Sequence, residues 1–397
     1  MPRTTATINK ETLYYICSKI GVSTTYLANK SQIPEETIVK WLAMEDATLP
    51  TIVQAKRLAK ALRIPFAGLY MSKDVIPLKQ LPDMHNLRTI PAGVVIDDSA
   101  MNLAIIDLIR SHDFLISAES ELGLEGTYLT LPTVSTNTTV TECAKLIRDF
   151  FEIRLDEQFK MSSSRQFYLY VRRKIESKGV FVHCFTGVDV EAVRGISMFN
   201  GSHPIIGINN DDRYPAKTFS IIHELVHILK RKSALCNDMY ASFSLHSEEV
   251  TCNAIAGEVL VPAESIIAYL SANSLADINL ENVESLAKRY SVSKEVIIRR
   301  LHDTGKFSKD VYDTFATEIR QSFLLEREEQ KNARKEGRSE PVFKSPSMET
   351  VDKNSASICR IMLIGYSDGF YNKQDLSGLL GIKEKHIPKF IAEVEKW

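Results

Sequence analysis

The sequence has no CxxC pair, no excess of either charge, no membrane-length apolar run and no tandem repeat of fixed period. Its six cysteines, Cys17, Cys143, Cys184, Cys236, Cys252 and Cys359, are scattered, which excludes the spacing of a secreted disulfide framework. The simplest reading of all six is reduced, buried, small hydrophobes. With 49 basic and 50 acidic residues the net charge is −1, so whole-chain charge points neither to nucleic acid nor to a membrane surface. The most apolar stretch, around Phe219 to Leu229, is interrupted by His, Glu and His. Residues 1–15 lack the apolar core of a signal peptide, so cytoplasm is the expected compartment.

What is present is ordinary globular material. The 397 residues are 44% hydrophobic and 25% charged, enough for two or three domains with cores that need no disulfides. Residues 8–71 read as short helices. Ser23 is a good N-cap, a turn passes through Gln32 and Ile33, and Pro34 opens a helix that buries Ile38, Trp41 and Leu42. Another helix follows over 52–62, so this part has a helix-turn-helix outline. Residues 72–98, with Pro77, Pro82, Pro91 and Gly93, read as a linker. Helical periods predict helices over 99–122, 139–155 and 165–177. Strand-like runs then appear at 180–185, 193–199 and 204–209, with Asn200-Gly201 favouring a hairpin between the last two. Helix period returns over 214–230, 247–261 and 280–301. A charged stretch, 318–339, is expected to be a solvated helix or flexible arm, 340–355 a linker, and 356–397 a last helical unit. Arg172, Arg173, Lys174 and the run Arg334 to Arg338 read as solvated charge. The expected class is α+β, mostly helical: a helical bundle over 1–71, a domain with a small sheet over 99–305, a charged segment over 306–355 and a helical unit over 356–397.

The chemistry concentrates in His223-Glu-Leu-Val-His227, an H-E-x-x-H pattern inside an apolar helix. Residues i and i+4 lie one turn apart on the same face, so both imidazoles can reach one ion. Glu224 is rotated by about 100° from His223. It is better placed to take a proton from a water that zinc acidifies than to complete the ligand set. Burying these groups in so apolar a helix without a partner would be costly. A third ligand is expected from the next helix, where Glu248 and Glu249 are both candidates and His246 a weaker one. Ala254, Ala256 and Gly257 allow that helix to approach closely. Cys236 and Cys252 lie near enough in sequence to offer a soft ligand. Ligand type favours Zn2+, although imidazole and carboxylate also suit other divalent metals.

Several segments resemble the ImmA/IrrE metallopeptidases. They are Val193-Arg-Gly-Ile-Ser197, Pro204-Ile-Ile-Gly-Ile-Asn-Asn210, Thr218 to Leu229 with the H-E-x-x-H, Glu249-x-x-Cys-Asn-Ala-Ile-Ala256 and Leu260-Val-Pro262. The resemblance covers roughly residues 165–305. It implies a zincin-like domain in which the glutamate four residues before the Asn is the third ligand, which selects Glu249. Phe is common in the family where Ile255 stands, and a small residue where Val226 stands. Long members carry a phage-repressor-type helix-turn-helix, which residues 12–70 resemble. Leu286 to Ser293 with Arg299 to Leu301, and Leu376 to Lys389, are similar to later units of the long forms. The implied function is a zinc endopeptidase that cleaves a repressor or other regulatory protein in a mobile-element, stress-response or toxin–antitoxin-like system. The alternative is a DNA-binding regulator or antitoxin whose peptidase-like domain binds a partner with little cleavage.

Three further expectations follow. A substrate strand would pair with an exposed sheet edge supplied by 193–199 or 204–209. Tyr240, His246 and His203 are candidates for stabilising the oxyanion. Residues 1–70 hold nine basic and five acidic residues, a mildly basic balance suited to phosphate contacts. The candidate DNA-contacting residues are Lys30, Gln32, Thr37 and Lys40, opposed by Glu35 and Glu36. The simpler reading of that region is a vestigial or protein-binding bundle. Expected partners are a repressor- or toxin-like protein, operator DNA and a second copy of the chain, with no membrane.

Overall fold

A computed structural model describes residues 4–44, 48–76, 78–79, 81–82, 84–86, 96–124, 130–135, 137–199, 203–236, 247–275, 278–335 and 345–395. The chain forms two compact units, one of residues 1–83, 90–116 and 186–192, the other of residues 84–89, 117–185 and 193–397. It is mostly helical with one small mixed sheet. No single helix among the described residues is long and apolar enough to cross a membrane.

The first unit holds α1 (Lys10–Ile20), α2 (Thr24–Ser31), α3 (Glu35–Leu42), α4 (Ile52–Ala61) and the first part of α5 (Ser99–Glu121). Local chemistry sets the ends. Ser23 accepts from the Tyr26 amide and so starts α2, whose end is turned by Gln32 at φ 56°. Thr51 and Gln54 form a reciprocal capping box on α4. Leu13, Ile16, Leu27, Ile38, Trp41, Leu58, Leu103 and Ile106 make the core, with Leu42 half-buried at its margin.

The second unit is built around five strands. They are β1 (His85–Asn86), β2 (Phe181–Phe185), β3 (Gly195–Met198), β4 (Ile205–Asn209) and β5 (Ala234–Cys236), in the order β1-β5-β3-β4-β2. β3 runs antiparallel to both β4 and β5, while β2 is parallel to β4 and β1 to β5. Every residue of β2 to β5 is buried. The helices are α6 (Val140–Phe150), α7 (Leu155–Lys160), α8 (Ser164–Glu176), α9 (Tyr214–Leu229), α10 (Ser247–Leu260), α11 (Ala263–Ala272), α12 (Leu280–Tyr290), α13 (Lys294–Asp303), α14 (Lys309–Lys335), α15 (Pro346–Lys353), α16 (Ala356–Ser367), α17 (Lys373–Leu380) and α18 (Ile387–Val394). α9 lies against β3, β4, α8 and α10, so one buried helix joins the sheet to the helical layer.

Four expectations are corrected. β3 and β4 are interior strands, each paired on both sides, so neither offers an edge to a substrate; the edges are β1 and β2. The continuous burial of β3 and β4 is what strands covered on both faces require. The region read as linker before residue 98 contains β1, and that read as linker before residue 355 contains α15, opened by Pro346. Arg172 is not solvated. It is fully buried and donates to the carbonyls of Asp352 (2.7 Å), Val182 (2.9 Å) and Asn354. It also pairs with the buried Glu176 at 3.5 Å. Arg173, by contrast, is exposed. The Asn200-Gly201 turn, Pro77, Pro91, Gly93 and residues 336–338 lie outside the described residues, although the β3–β4 antiparallel register expected of a hairpin is present.

Candidate metal centre

α9 begins with Pro215 in its first turn and is buried from Ala216 to Leu229. A helix apolar on nearly every face has no solvated side, so His223, Glu224 and His227 must find partners inside the protein. α10 supplies one. Glu249, with no exposed surface, turns its carboxylate toward both imidazoles. Its Oε2 is 3.3 Å from His223 Nε2, and its Oε1 is 3.1 Å from His227 Nε2. The two Nε2 atoms are 3.2 Å apart. Cys236, at the end of β5, brings its Sγ to 3.5 Å from His227 Nε2 and 3.7 Å from Glu249 Oε1. One ligand atom from each of these four buried residues lies within 4.8 Å of the others.

The alternative residues fall elsewhere. Glu248 pairs with Lys232 at 2.7 Å and lies 3.9 Å from the far nitrogen of His227, Nδ1. Cys252 is also on that far side, 3.9 Å from Nδ1 and 3.5 Å from Lys230 Nζ. His203 meets Glu119 at 3.2 Å and stacks on Phe181. Tyr240 and His246 lie outside the described residues.

Glu224 is 1% exposed and its Oε2 makes no hydrogen bond. It lies across Gly195 on β3 so closely that a Cβ there would run into its carboxylate. The glycine in Val193-Arg-Gly-Ile-Ser197 therefore makes room for Glu224, a role that needs the tertiary contact to be seen. Asn253, one turn after Glu249, is fully buried with neither side-chain polar atom bonded.

The electrostatics are those of a compressed, water-poor cluster. Burial holds the Glu224 carboxyl above its usual range, with His223 and His227 pulling the other way. Burial opposes ionisation of Glu249, but the His223 and His227 imidazoles beside it more than offset that and leave its carboxyl well below the usual range. The same contacts raise His223 despite its burial, and Cys252 and Glu249 raise His227 despite its own. Burial, then the Glu224 and Glu249 carboxylates, push the Cys236 thiol well up.

These residues fit a divalent ion. A tetrahedral shell with nitrogen and oxygen donors at about 2.0–2.1 Å has edges of about 3.3 Å. The 3.2 Å between the two nitrogens and the 3.1 Å from His227 Nε2 to Glu249 Oε1 match it, and the other carboxylate oxygen faces His223 Nε2 at 3.3 Å. His223 Nδ1 and Glu249 Oε2 are buried without a hydrogen-bond partner, so the cluster is left with unsatisfied polar atoms.

The DNA candidates are arranged differently. Lys30, Gln32 and Lys40 are exposed and Thr37 is half-buried. The Lys30 ammonium lies 5.8 Å from the Tyr26 ring centre. Glu35 accepts from the Thr24 and Thr25 hydroxyls at 2.5 and 2.7 Å, tying the start of α3 to the start of α2.

Residues 176–302 match the family model Peptidase_M78, described as the IrrE N-terminal-like domain. The match supports a metallopeptidase-type domain of the ImmA/IrrE kind over that third of the chain. No curated protein matches the chain.

Proposed function

We propose that the chain is a zincin-type endopeptidase in which His223, His227 and Glu249 hold zinc and Glu224 moves the protons. The convergence of both Nε2 atoms and the Glu249 carboxylate in a buried pocket carries this reading. The bound ion supplies Lewis acidity toward water and a carbonyl oxygen. Glu224 accepts a proton from the attacking water at Oε2 and passes it to the departing amine, which balances the hydrolysis. Its raised pKa suits both halves of that transfer. Gly195 holds the carboxylate in place by leaving its own side-chain space empty.

The substrate class is a regulatory protein of repressor or toxin-like type. α2 and α3 would form a helix-turn-helix that places Lys30, Gln32, Thr37 and Lys40 on operator DNA, with a homodimer spanning two half-sites. One observation favours the second reading, a regulator or antitoxin that binds a partner and rarely cuts: the cluster is almost closed to solvent.

The test is co-expression with products of neighbouring genes, comparing wild type with Glu224→Gln by intact mass. A shortened partner with wild type, none with the variant, and equal zinc content in both support the peptidase. A biological effect that survives in Glu224→Gln supports the second reading.

A further inference from the structure

We infer that Cys236 is the fourth ligand of the metal, so that the chain folds into a latent, closed-shell state that opens only when the thiolate leaves. This rests on the metal site proposed above and concerns a residue outside its catalytic set.

A tetrahedral shell with sulfur at about 2.3 Å and nitrogen or oxygen at about 2.0–2.1 Å has sulfur–nitrogen and sulfur–oxygen edges of about 3.6 Å. Cys236 Sγ lies 3.5 Å from His227 Nε2 and 3.7 Å from Glu249 Oε1. Cys236 Sγ, His227 Nε2 and Glu249 Oε1 thus stand at the separations of three ligands of one ion, with His223 Nε2 3.2 Å from His227 Nε2. Cys252, equally buried and closer in sequence to Glu249, faces the wrong nitrogen of His227.

The backbone also holds the thiol in place. β5 pairs antiparallel with β3, and Cys236 stands opposite Gly195, the residue that makes room for Glu224. The Arg194 amide donates to the Cys236 carbonyl at 3.0 Å. One sheet register therefore sets both the proton carrier and the sulfur beside the same ion. Catalytic zinc sites keep a position for water or substrate, whereas structural sites are filled by protein. Cys236 converts the first kind into the second. A cysteine that merely packs as a small hydrophobe would not need its Sγ among four ligand atoms.

The experiment uses the full chain loaded with Co2+ in place of zinc. Wild type is expected to bind one ion with the near-ultraviolet sulfur-to-cobalt charge-transfer band and intense visible bands of a four-coordinate site. Cys236→Ser and Cys236→Ala should still bind the ion, lose the near-ultraviolet band completely, and respond spectrally to added acetohydroxamate. Wild type should not respond. Cys252→Ser should keep the band. Stoichiometric cobalt without the band in wild type, or a band that persists in both Cys236 variants or vanishes in Cys252→Ser, overturns this inference and leaves the metal site standing. Failure of wild type and both variants to bind cobalt overturns the metal site and the inference together. Folding of each variant is checked by circular dichroism, and two replacements of different size keep the test independent of one unstable variant.

Discussion

His183, in the middle of β2, shows what complete burial does to one side chain. Burial, with Lys353 and Arg172 adding to it, pushes its imidazole down from 6.5 to about 3. It is therefore neutral when folded, and the unfolded chain takes up the proton first as pH falls below 6.5. Its contribution to stability is intact above that value and is lost between there and about 3, by up to about 1.4 kcal/mol per pH unit. His183→Gln should weaken this acid dependence. Urea midpoints of wild type and variant should converge on acidification, and parallel curves would refute the assignment. Residue-scale legibility was uneven. His223 and His227 are readable because a helical turn is a local property, and the spacing alone puts both rings on one face. Glu249 needed the family resemblance to be preferred to Glu248. Cys236 is one of two thiols that the sequence puts near the metal helices, and only the sheet separates it from Cys252, while Arg172 sits among charged neighbours and its own side chain points inward.

At the level of elements, the junction of α8 with α15 and α16 is the clearest case of stability resting on a few polar contacts. Arg172 donates to carbonyls in and beyond α15, and Glu176 accepts from the Ala356 amide at 3.1 Å. Arg172→Met leaves Glu176 buried without its cation, at a cost of about 3–5 kcal/mol. Adding Glu176→Gln should restore much of it. Thermal melts of the single and double variants check this; equal losses in both would show that the ion pair is not what is being removed. The elements that were legible are those with a full period to read: α8, α9, α10 and β2 to β4. Among the described residues β5 has three residues and β1 two, too few to carry a pattern, and both are recognised through their pairing. α15 was missed because proline marks a linker and a helix start with the same letter.

For the molecule as a whole, the two compact units have separate apolar cores, and among the described residues the metal-type cluster lies in the second. Ligand binding stabilises the state that binds, by about 2.7 kcal/mol at a hundredfold excess over Kd. Calorimetry of zinc-loaded protein should resolve two transitions, and a chelator should lower one and leave the other in place. A single transition, or one unmoved by chelation, would contradict this. The mostly helical α+β class was legible from the change of hydrophobic period along the chain. The strand order was not, because β1 and β5 enter the sheet from segments without strand signals, and their entry is what moves β3 to the interior.

The sheet has one weak seam. Among the described residues β1 aligns with β5 over two positions and β5 with β3 over three, whereas β2 and β4 align over five. Local opening is cheapest where the fewest cross-strand bonds must break together. The sulfur thus stands on β5, in the less extensively paired half of the sheet, and a modest local fraying there would loosen its hold while the rest of the unit stays folded.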